Sequence, residues 1–392
     1  MRIHAEGVYH FLIAFSNSMV GGIVVDRKEY SGIVNRGNLH RIKKLMESAK
    51  NGGEYTIGFL GGSITQGSLA TLPERCYAYL VYDWWQKKFS NATFRFVNAG
   101  IGGTTSLYGA ARAWKDLLMY RPDFVVVDFT VNDDATLLFQ ESFEGVLRKL
   151  YSAEKHPAVL VLNNVFYDTG VNAQEYHNEV AAHYQIPCVS MRESLYAEIK
   201  DQKLIRSLIT QDNLHPNDKG HALLAEKLIG LLEEAYEGLG EEEQEPEYPS
   251  ESVTKNRFED AKIYQIQNSA PKLEGFLVDS REKTAMLDLY KNGWIGQKEG
   301  DTITFQVEAS CISIQYLKSI YKPRPIAEVI VDGDEEDAQT LDANFDETWG
   351  DCLYLQTIYN KEKKESHEIT IRIIENHNDD QGPFYLVSII TD

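Results

Sequence analysis

Cysteine and long apolar runs are both scarce in this chain of 392 residues. Four scattered cysteines, none in a Cys-x-x-Cys pair, give no readable metal site and no disulfide framework. They are typical of free thiols in a reducing compartment, so we predict a cytoplasmic protein, with a Cys311–Cys352 bridge as the alternative. No run approaches the roughly 20 apolar residues of a membrane span, and His10 interrupts the apolar run at 8–15, so we expect no signal peptide.

Positive charge is also in short supply. The chain has 39 Lys and Arg against 59 Asp and Glu, a formal net charge of −20. Binding to phosphate groups needs clustered basic residues, so we predict neither nucleic acid nor a membrane as a partner. The charge says little about a neutral substrate, because surface fields fade over about 8 Å at physiological salt.

What the chain does have is strand–helix alternation between residues 37 and 236. The predicted strands are short apolar runs at 55–60, 93–97, 123–130, 158–165 and 186–190. Continuous apolar strands are expected where helices cover both faces of a parallel sheet. With right-handed crossovers, the pattern predicts an α/β fold, a three-layer doubly wound domain with a five-stranded parallel sheet. Ligands of such sheets lie at the carboxyl ends of the strands.

The sequence pattern changes after residue 236, where the alternation of predicted strands and helices ends. An acidic, proline-containing stretch at 237–256 is interpreted as a solvated linker. From residue 257 to 392, period-two runs predict an all-β sandwich of jelly-roll type. These runs are at 302–307, 311–316, 327–331, 354–358, 368–374 and 384–390. Residues 1–36 contain strand-like pieces, and we expect this segment to pack on the C-terminal domain.

Ser63 is the first candidate for chemistry. It follows two glycines at the end of the first predicted strand, in the stretch Gly-Gly-Ser-Ile-Thr-Gln-Gly at 61–67. A serine in this position is more often a turn residue than a nucleophile. The stretch also differs from the Gly-x-Ser-x-Gly elbow of α/β-hydrolases, because its next glycine comes four residues after the serine.

Asp212 and His215 form a second candidate unit. The ordinary interpretation is a helix N-terminus, with Pro216 in the first turn and Asn217 or Asp218 as the cap. The chemical interpretation is that Asp212 accepts a hydrogen bond from Nδ1–H of His215. That bond would leave Nε2 free to take a proton from a serine.

Gly103 and Asn132 complete the set. Both follow predicted strands, where glycine pairs and asparagine are common turn formers. An acyl-transfer site, however, needs hydrogen-bond donors aimed at the developing oxyanion. The N–H groups of Ser63 and Gly103 and the side-chain amide of Asn132 would supply three.

Together the motifs resemble, in order and spacing, the four blocks of the SGNH (GDSL-type) hydrolases over roughly residues 54–236. The blocks are Gly-Gly-Ser-Ile-Thr at 61–65, Asn-Ala-Gly-Ile-Gly-Gly at 98–103, Val-Asn-Asp at 131–133 and Asp-Asn-Leu-His-Pro at 212–216. The resemblance implies Ser63 as nucleophile, His215 as general base and Asp212 as its orienting partner. It further implies Gly103 and Asn132 as oxyanion donors. The first block departs from Gly-Asp-Ser-Leu, and in this it is similar to the carbohydrate-esterase side of the family.

The two-domain layout resembles bacterial carbohydrate acetylesterases, whose tail is similar to a carbohydrate-binding module. This resemblance implies a serine esterase that deacetylates neutral plant oligosaccharides of mannan or xylan type, without metal or cofactor. The alternatives are a lipid esterase or thioesterase of the same fold, or a non-catalytic sugar-binding protein. Four aromatic residues are candidates for stacking on sugar faces or, alternatively, for filling the sandwich core: Trp294, Trp349, Tyr316 and Tyr354. The sequence leaves open whether the chain forms a homo-oligomer.

Overall fold

The computed structural model describes the backbone of residues 15–20 and 23–28 and all of residues 31–392. The prediction for residues 1–36 therefore lies largely outside the described residues. Two antiparallel strands, β1 (Phe15–Val20) and β2 (Ile23–Lys28), are described within that segment. Its last strand, β3 (Ile33–Asn35), pairs with the sheet of the α/β domain.

A six-stranded mixed sheet forms the centre of the first domain. Its remaining strands are β4 (Gly53–Gly61), β5 (Ala92–Gly100), β6 (Phe124–Asp128), β7 (Ala158–Asn163) and β8 (Cys188–Ser190). The order across the sheet is β3-β8-β7-β6-β4-β5, and only the edge pair β3–β8 is antiparallel. The five predicted parallel strands are thus confirmed, and a sixth joins them at one edge.

The prediction missed strand β3 for a physical reason. It contributes only three residues, too few to show any periodicity. It is held by its backbone pairing and by the Asn35 side chain, which donates a 2.9 Å hydrogen bond to the carbonyl of Ile186. Such tertiary contacts leave no pattern in the local sequence.

Helices cover both faces of the sheet. In the described residues these are α1 (His40–Lys50), α2 (Ser63–Gln66), α3 (Tyr77–Lys88), α4 (Ser106–Asp116), α5 (Leu137–Tyr151), α6 (Gln174–His183), α7 (Ala197–Lys200) and α8 (Asp218–Glu237). Two separate apolar clusters result. One lies under α1, α3 and α8, and the other lies under α4, α5 and α6. Strands buried from both sides explain the continuous apolar runs. No helix in the described parts of the chain is long and apolar enough to cross a bilayer.

The second domain is a nine-stranded antiparallel β-sandwich, as predicted. Its strands are β9 (Lys262–Tyr264), β10 (Lys272–Glu274), β11 (Leu277–Val278), β12 (Trp294–Gly296), β13 (Thr302–Lys318), β14 (Ile326–Val331), β15 (Gln339–Asp342), β16 (Cys352–Glu375) and β17 (Phe384–Thr391).

Two pairs of predicted strands are in fact single long strands. The runs at 302–307 and 311–316 both belong to β13, and those at 354–358 and 368–374 both belong to β16. An irregularity between Ala309 and Cys311 shifts the register of β13 against β16. The middle of β16 is charged and exposed, so its apolar alternation disappears although the strand continues.

Helix α5 joins the two domains. Arg257 donates four hydrogen bonds to the carboxylate of Glu141, one from its backbone N–H and three from its guanidinium group, at 2.6 to 3.1 Å. The buried carboxylate of Glu144 accepts the N–H groups of Val253 and Thr254, both at 2.7 Å. The last part of the predicted linker is therefore bound to the first domain.

The acidic run at 241–247 is also in contact with the first domain. Glu243 accepts a 2.9 Å hydrogen bond from the N–H of Leu39 and lies 3.1 Å from the ammonium group of Lys43. Separately, all four cysteines are free and buried, so the alternative Cys311–Cys352 bridge is wrong.

Candidate active site

Ser63 lies at the carboxyl edge of the central sheet. Strand β4 ends at Gly61, and Ser63 is the first residue of the short helix α2. A Cβ atom on Gly61 would lie 2.4 Å from Oγ1 of Thr65 and 2.6 Å from the carbonyl oxygen of Asp128. Only glycine fits this approach, which lets the chain turn and present the serine between two neighbouring strands.

Three side chains from two distant segments form one hydrogen-bonded row. Oγ of Ser63 lies 2.8 Å from Nε2 of His215, and Nδ1 of His215 lies 2.6 Å from Oδ2 of Asp212. The structure thus brings together all three residues that the sequence singled out as nucleophile, base and orienting acid. A row of this kind can move a proton from the hydroxyl to the imidazole.

The loop before α8 sets the pose of the base. Oδ1 of Asp212 accepts the backbone N–H groups of Leu214 and His215, at 3.0 and 2.8 Å. Partial burial raises the pKa of Asp212, but hydrogen bonds from the His215 ring and these N–H groups outweigh it and lower the pKa overall. The carboxylate therefore stays ionised and oriented. Asn217 is the residue that caps α8, accepting from Lys219 and Gly220.

Three hydrogen-bond donors surround Ser63. The N–H groups of Ser63 and Gly103 and the side-chain amide nitrogen of Asn132 have no acceptor among residues 31–392. Gly103 has φ +69°, a conformation that glycine adopts without strain. A Cβ on Gly102 would lie 3.7 Å from Cβ of Ser63, so this turn lies directly beside the serine. The arrangement suits stabilisation of an oxyanion.

Gln66 and Asn98 hold the two turns together, and sequence reasoning did not single them out. Oε1 of Gln66 accepts a 2.6 Å hydrogen bond from the N–H of Gly102. In return, Nδ2 of Asn98 donates to the carbonyl of Thr65 at 2.8 Å. Asn98 is the first residue of the second motif block, whereas Gln66 follows the first block and carries no signal of its own in the sequence.

A buried Asp–His pair supports the Asn132 turn. Oδ2 of Asp133 lies 3.0 Å from Nε2 of His177, and both side chains are fully buried. Oδ1 of Asp133 accepts the N–H of Ser106, the first residue of α4. The His177 ring stacks on Phe143 with centroids 3.6 Å apart. Asp133 was part of the third block, but nothing local in the sequence pointed to His177.

Asp128 is a buried carboxyl group beneath the nucleophile. Its Oδ2 accepts a 3.0 Å hydrogen bond from Oγ1 of Thr65, which in turn lies 2.7 Å from the hydroxyl of Tyr77. Its Oδ1 is buried without a partner among the described residues. Burial raises the pKa of Asp128 to about 6.

The four aromatic candidates divide into two groups. Trp294 and Tyr316 are each 1% exposed and belong to the sandwich core, so for these two residues the core-filling alternative holds and sugar stacking does not. Trp349 is 62% exposed and Tyr354 is 37% exposed. A Cβ on Gly103 would lie 3.9 Å from Cη2 of Trp349, so the second domain places this ring beside the Gly103 turn.

Among residues 31–392, no group of three or more His, Cys, Asp or Glu side chains is arranged to hold a metal ion.

Comparison with known proteins agrees with this geometry. The model of the GDSL-like lipase/acylhydrolase family matches residues 59–223. Two crystal structures of a two-domain esterase active on acetylated mannans, one of them co-crystallized with mannopentaose, are each 49% identical with a TM-score of 0.89. They cover 92% of this chain and 96% and 97% of theirs. An acetylxylan esterase from Geobacillus stearothermophilus is 20% identical, with a TM-score of 0.39 over 47% of this chain and 96% of its own. No curated protein matches the chain.

Proposed function

The chain belongs to the GDSL-like lipase/acylhydrolase family, and we propose that it is a serine esterase that removes acetyl groups from mannan-type oligosaccharides. The observation that carries the proposal is the row Ser63–His215–Asp212, with heavy-atom distances of 2.8 and 2.6 Å. The unpaired donors around Ser63 support the same chemistry.

The proposed reaction passes through an acyl-enzyme. Nε2 of His215 takes the Ser63 proton while Oγ attacks the acetyl carbonyl carbon. The N–H groups of Ser63 and Gly103 and the Asn132 amide donate to the resulting oxyanion. His215 then protonates the sugar oxygen as the C–O bond breaks, and the free hydroxyl leaves. Water, deprotonated by His215, attacks the acetyl-serine and releases acetate.

The substrate class rests on similarity and on one exposed ring. The relative at 49% identity is described as active on acetylated mannans and matches almost the full length of both chains. Trp349 adds a physical reason, because an exposed indole beside the oxyanion turn is suited to stacking on the apolar face of a sugar ring. We propose Trp349, in the loop before β16, together with Tyr354 on β16, as a substrate contact of the second domain.

The test compares the intact chain with Ser63→Ala. We expect the wild-type protein to hydrolyse 4-nitrophenyl acetate and to release acetate from acetylated mannan oligosaccharides. Ser63→Ala should lose both activities and keep its circular dichroism spectrum. Full activity in this variant would overturn the mechanism. Faster turnover of octanoyl than of acetyl esters would overturn the substrate class and leave the mechanism standing.

A further inference from the structure

A cavity of about 710 Å³ opens between the two domains. One wall is formed by β5, α4 and the turn after α4, and includes Arg95, Tyr108 and Lys115. The other wall comes from residues 263–292 of the second domain and includes Lys283. We call it the junction cavity. Its volume lies within the range of roughly 300–1,000 Å³ typical of small-molecule sites, which often form between domains.

Two lysine side chains, one from each domain, line this cavity. They are Lys115 on α4 and Lys283 of the second domain. Neither has an ion-pair or hydrogen-bond partner in the part of the chain from residue 31 onward. Burial, reinforced by the positive charge of Lys115, lowers the pKa of Lys283.

Two nearby carboxylates are already engaged by other groups, while Glu282 and Arg95, which also line the cavity, bring one charge of each sign. Asp116 accepts a 3.1 Å hydrogen bond from Arg112. Asp288 lies 3.0 Å from Nζ of Lys291 and accepts the N–H and hydroxyl of Thr284, at 2.8 and 2.9 Å. Two unpaired lysines therefore meet in a chain whose net charge is −20. This local excess of positive charge is a feature that an anion would neutralise.

Neutral hydrogen-bonding groups line the same cavity. The side-chain amides of Gln267 and Asn292 border it and make no hydrogen bond to any described residue. Amides both donate and accept, so they suit hydroxyl groups. Tyr108 supplies an aromatic surface in the same wall. The two lysines and the two side-chain amides together fit a ligand that has one anionic group and several hydroxyl groups.

We propose that the junction cavity is a second binding site, which takes a sugar bearing a carboxylate or phosphate group. Lys115 and Lys283 contact the anionic group, one from each domain, while Gln267 and Asn292 bind hydroxyls. The ligand thereby bridges the two domains. None of the lining residues belongs to the catalytic row or to the oxyanion donors, and Asn98, which holds the oxyanion turn against the nucleophile turn, is the lining residue that links the cavity to the active site.

The experiment is isothermal titration calorimetry on the full-length chain with four compounds at low salt: glucuronate, glucose 6-phosphate, glucose and inorganic phosphate. We expect at least one charged sugar to bind at least tenfold more tightly than glucose or phosphate. The two charged sugars separate carboxylate from phosphate as the preferred anion. Absence of binding by both charged sugars, or equal binding of glucose, would overturn the proposal.

Variants test the assignment of the two lysines. The double substitution Lys115→Gln with Lys283→Gln should weaken charged-sugar binding at least tenfold and leave 4-nitrophenyl acetate hydrolysis unchanged. Lys44→Gln with Lys361→Gln removes two lysines that are exposed elsewhere and should leave binding as in the wild type. If both double variants bind alike, the cavity is not the site. Melting temperatures of both double variants equal to that of the wild type will show that the fold is intact in each.

Discussion

Gln66 and Gly102, 36 residues apart, are joined by a 2.6 Å hydrogen bond from the Gly102 N–H to Oε1 of Gln66. The bond fixes the Ile101–Gly102 peptide plane, which is the peptide unit immediately before the one that carries the Gly103 N–H. Since the Gly103 N–H is a candidate oxyanion donor, its direction depends on a side chain from the nucleophile turn. Nucleophile and oxyanion donor are therefore positioned as one unit.

Replacing Gln66 by Met should lower kcat for 4-nitrophenyl acetate by about 10- to 100-fold, because the Gly103 N–H loses its fixed direction. The loss stays below the 10²–10³-fold typical of removing a donor outright. KM should change little, since the bond acts through the oxyanion of the transition state. Steady-state kinetics measure both values. Gln202→Met, at an exposed turn, is the matched control and should behave as wild type. An unchanged kcat in Gln66→Met would contradict this role.

Replacing Gly62 by Ala should impair Asn132. The new Cβ would lie 2.3 Å from Oδ1 of Asn132, so the amide must move while the backbone stays in place. We expect kcat to fall by roughly 10- to 1,000-fold, as for the loss of one donor. A double-mutant cycle decides the cause. In an Asn132→Ala background, Gly62→Ala should lower kcat only slightly. An equal fall in kcat in both backgrounds would show that Gly62→Ala does not act through Asn132.

Replacing Asp128 by Asn should stabilise the protein at pH 8. The folded-state pKa of about 6 lies above the unfolded value of 3.8, so the native state holds its proton to higher pH. This contribution to stability is complete below pH 3.8 and is lost as pH rises through about 6. Asparagine mimics the neutral carboxyl group, so the variant should avoid this loss of folding stability above pH 6, which is on the order of 1–3 kcal/mol.

Melting temperatures at pH 5 and pH 8 test this expectation for Asp128. The wild type should lose more stability than Asp128→Asn between the two values. Asp133→Asn is the control, because it weakens a buried pair with His177 and should destabilise the fold at both pH values. If Asp128→Asn is less stable than the wild type at pH 8, the account of this carboxyl group is wrong.

Replacing Trp349 by Ala should affect large substrates selectively. We expect kcat/KM for acetylated mannan oligosaccharides to fall about tenfold, which corresponds to the loss of one aromatic contact. Hydrolysis of 4-nitrophenyl acetate should remain within about twofold of wild type on the same reasoning, because that ester carries no sugar to stack. Trp114→Ala, at a 69% exposed position near the end of α4, is the matched control. Equal losses on both substrates would indicate a structural role.

Much of the fold could be predicted because the strands and helices show local patterns of apolar residues. The central parallel strands are apolar on both faces, as β6 and β7 show with five and six buried residues in succession. The second domain shows period-two alternation wherever one face of a strand is buried. Prediction failed where a tertiary contact replaces a pattern, as in β3, or where exposure removes alternation, as in the charged middle of β16.

The residues of the active site likewise divide into those that the local sequence could identify and those that only tertiary contacts reveal. Ser63, Asp212 and His215 could be selected because their residue types, at strand and helix ends, suit one chemistry. Gln66 and His177 could not, because their roles appear only when residues 36 and 44 positions apart in the chain meet. Likewise, the sequence could not separate Trp294 from Trp349. Both are tryptophans in a β-rich region, and only the packing decides which ring is buried.

The contact between α5 and the start of the second domain bears on how such a protein can evolve. A Cβ on Gly145 would lie 2.7 Å from the backbone of Phe258, and the Glu144 carboxylate accepts hydrogen bonds from Val253 and Thr254 on the tail side of the chain and from Tyr184. Recombination that replaced the second domain by an unrelated one would leave the buried Glu144 carboxylate without its hydrogen-bond donors at the domain interface. The two halves must therefore be inherited as one gene product, and compensating changes at 144, 145 and 257 should accompany any natural swap.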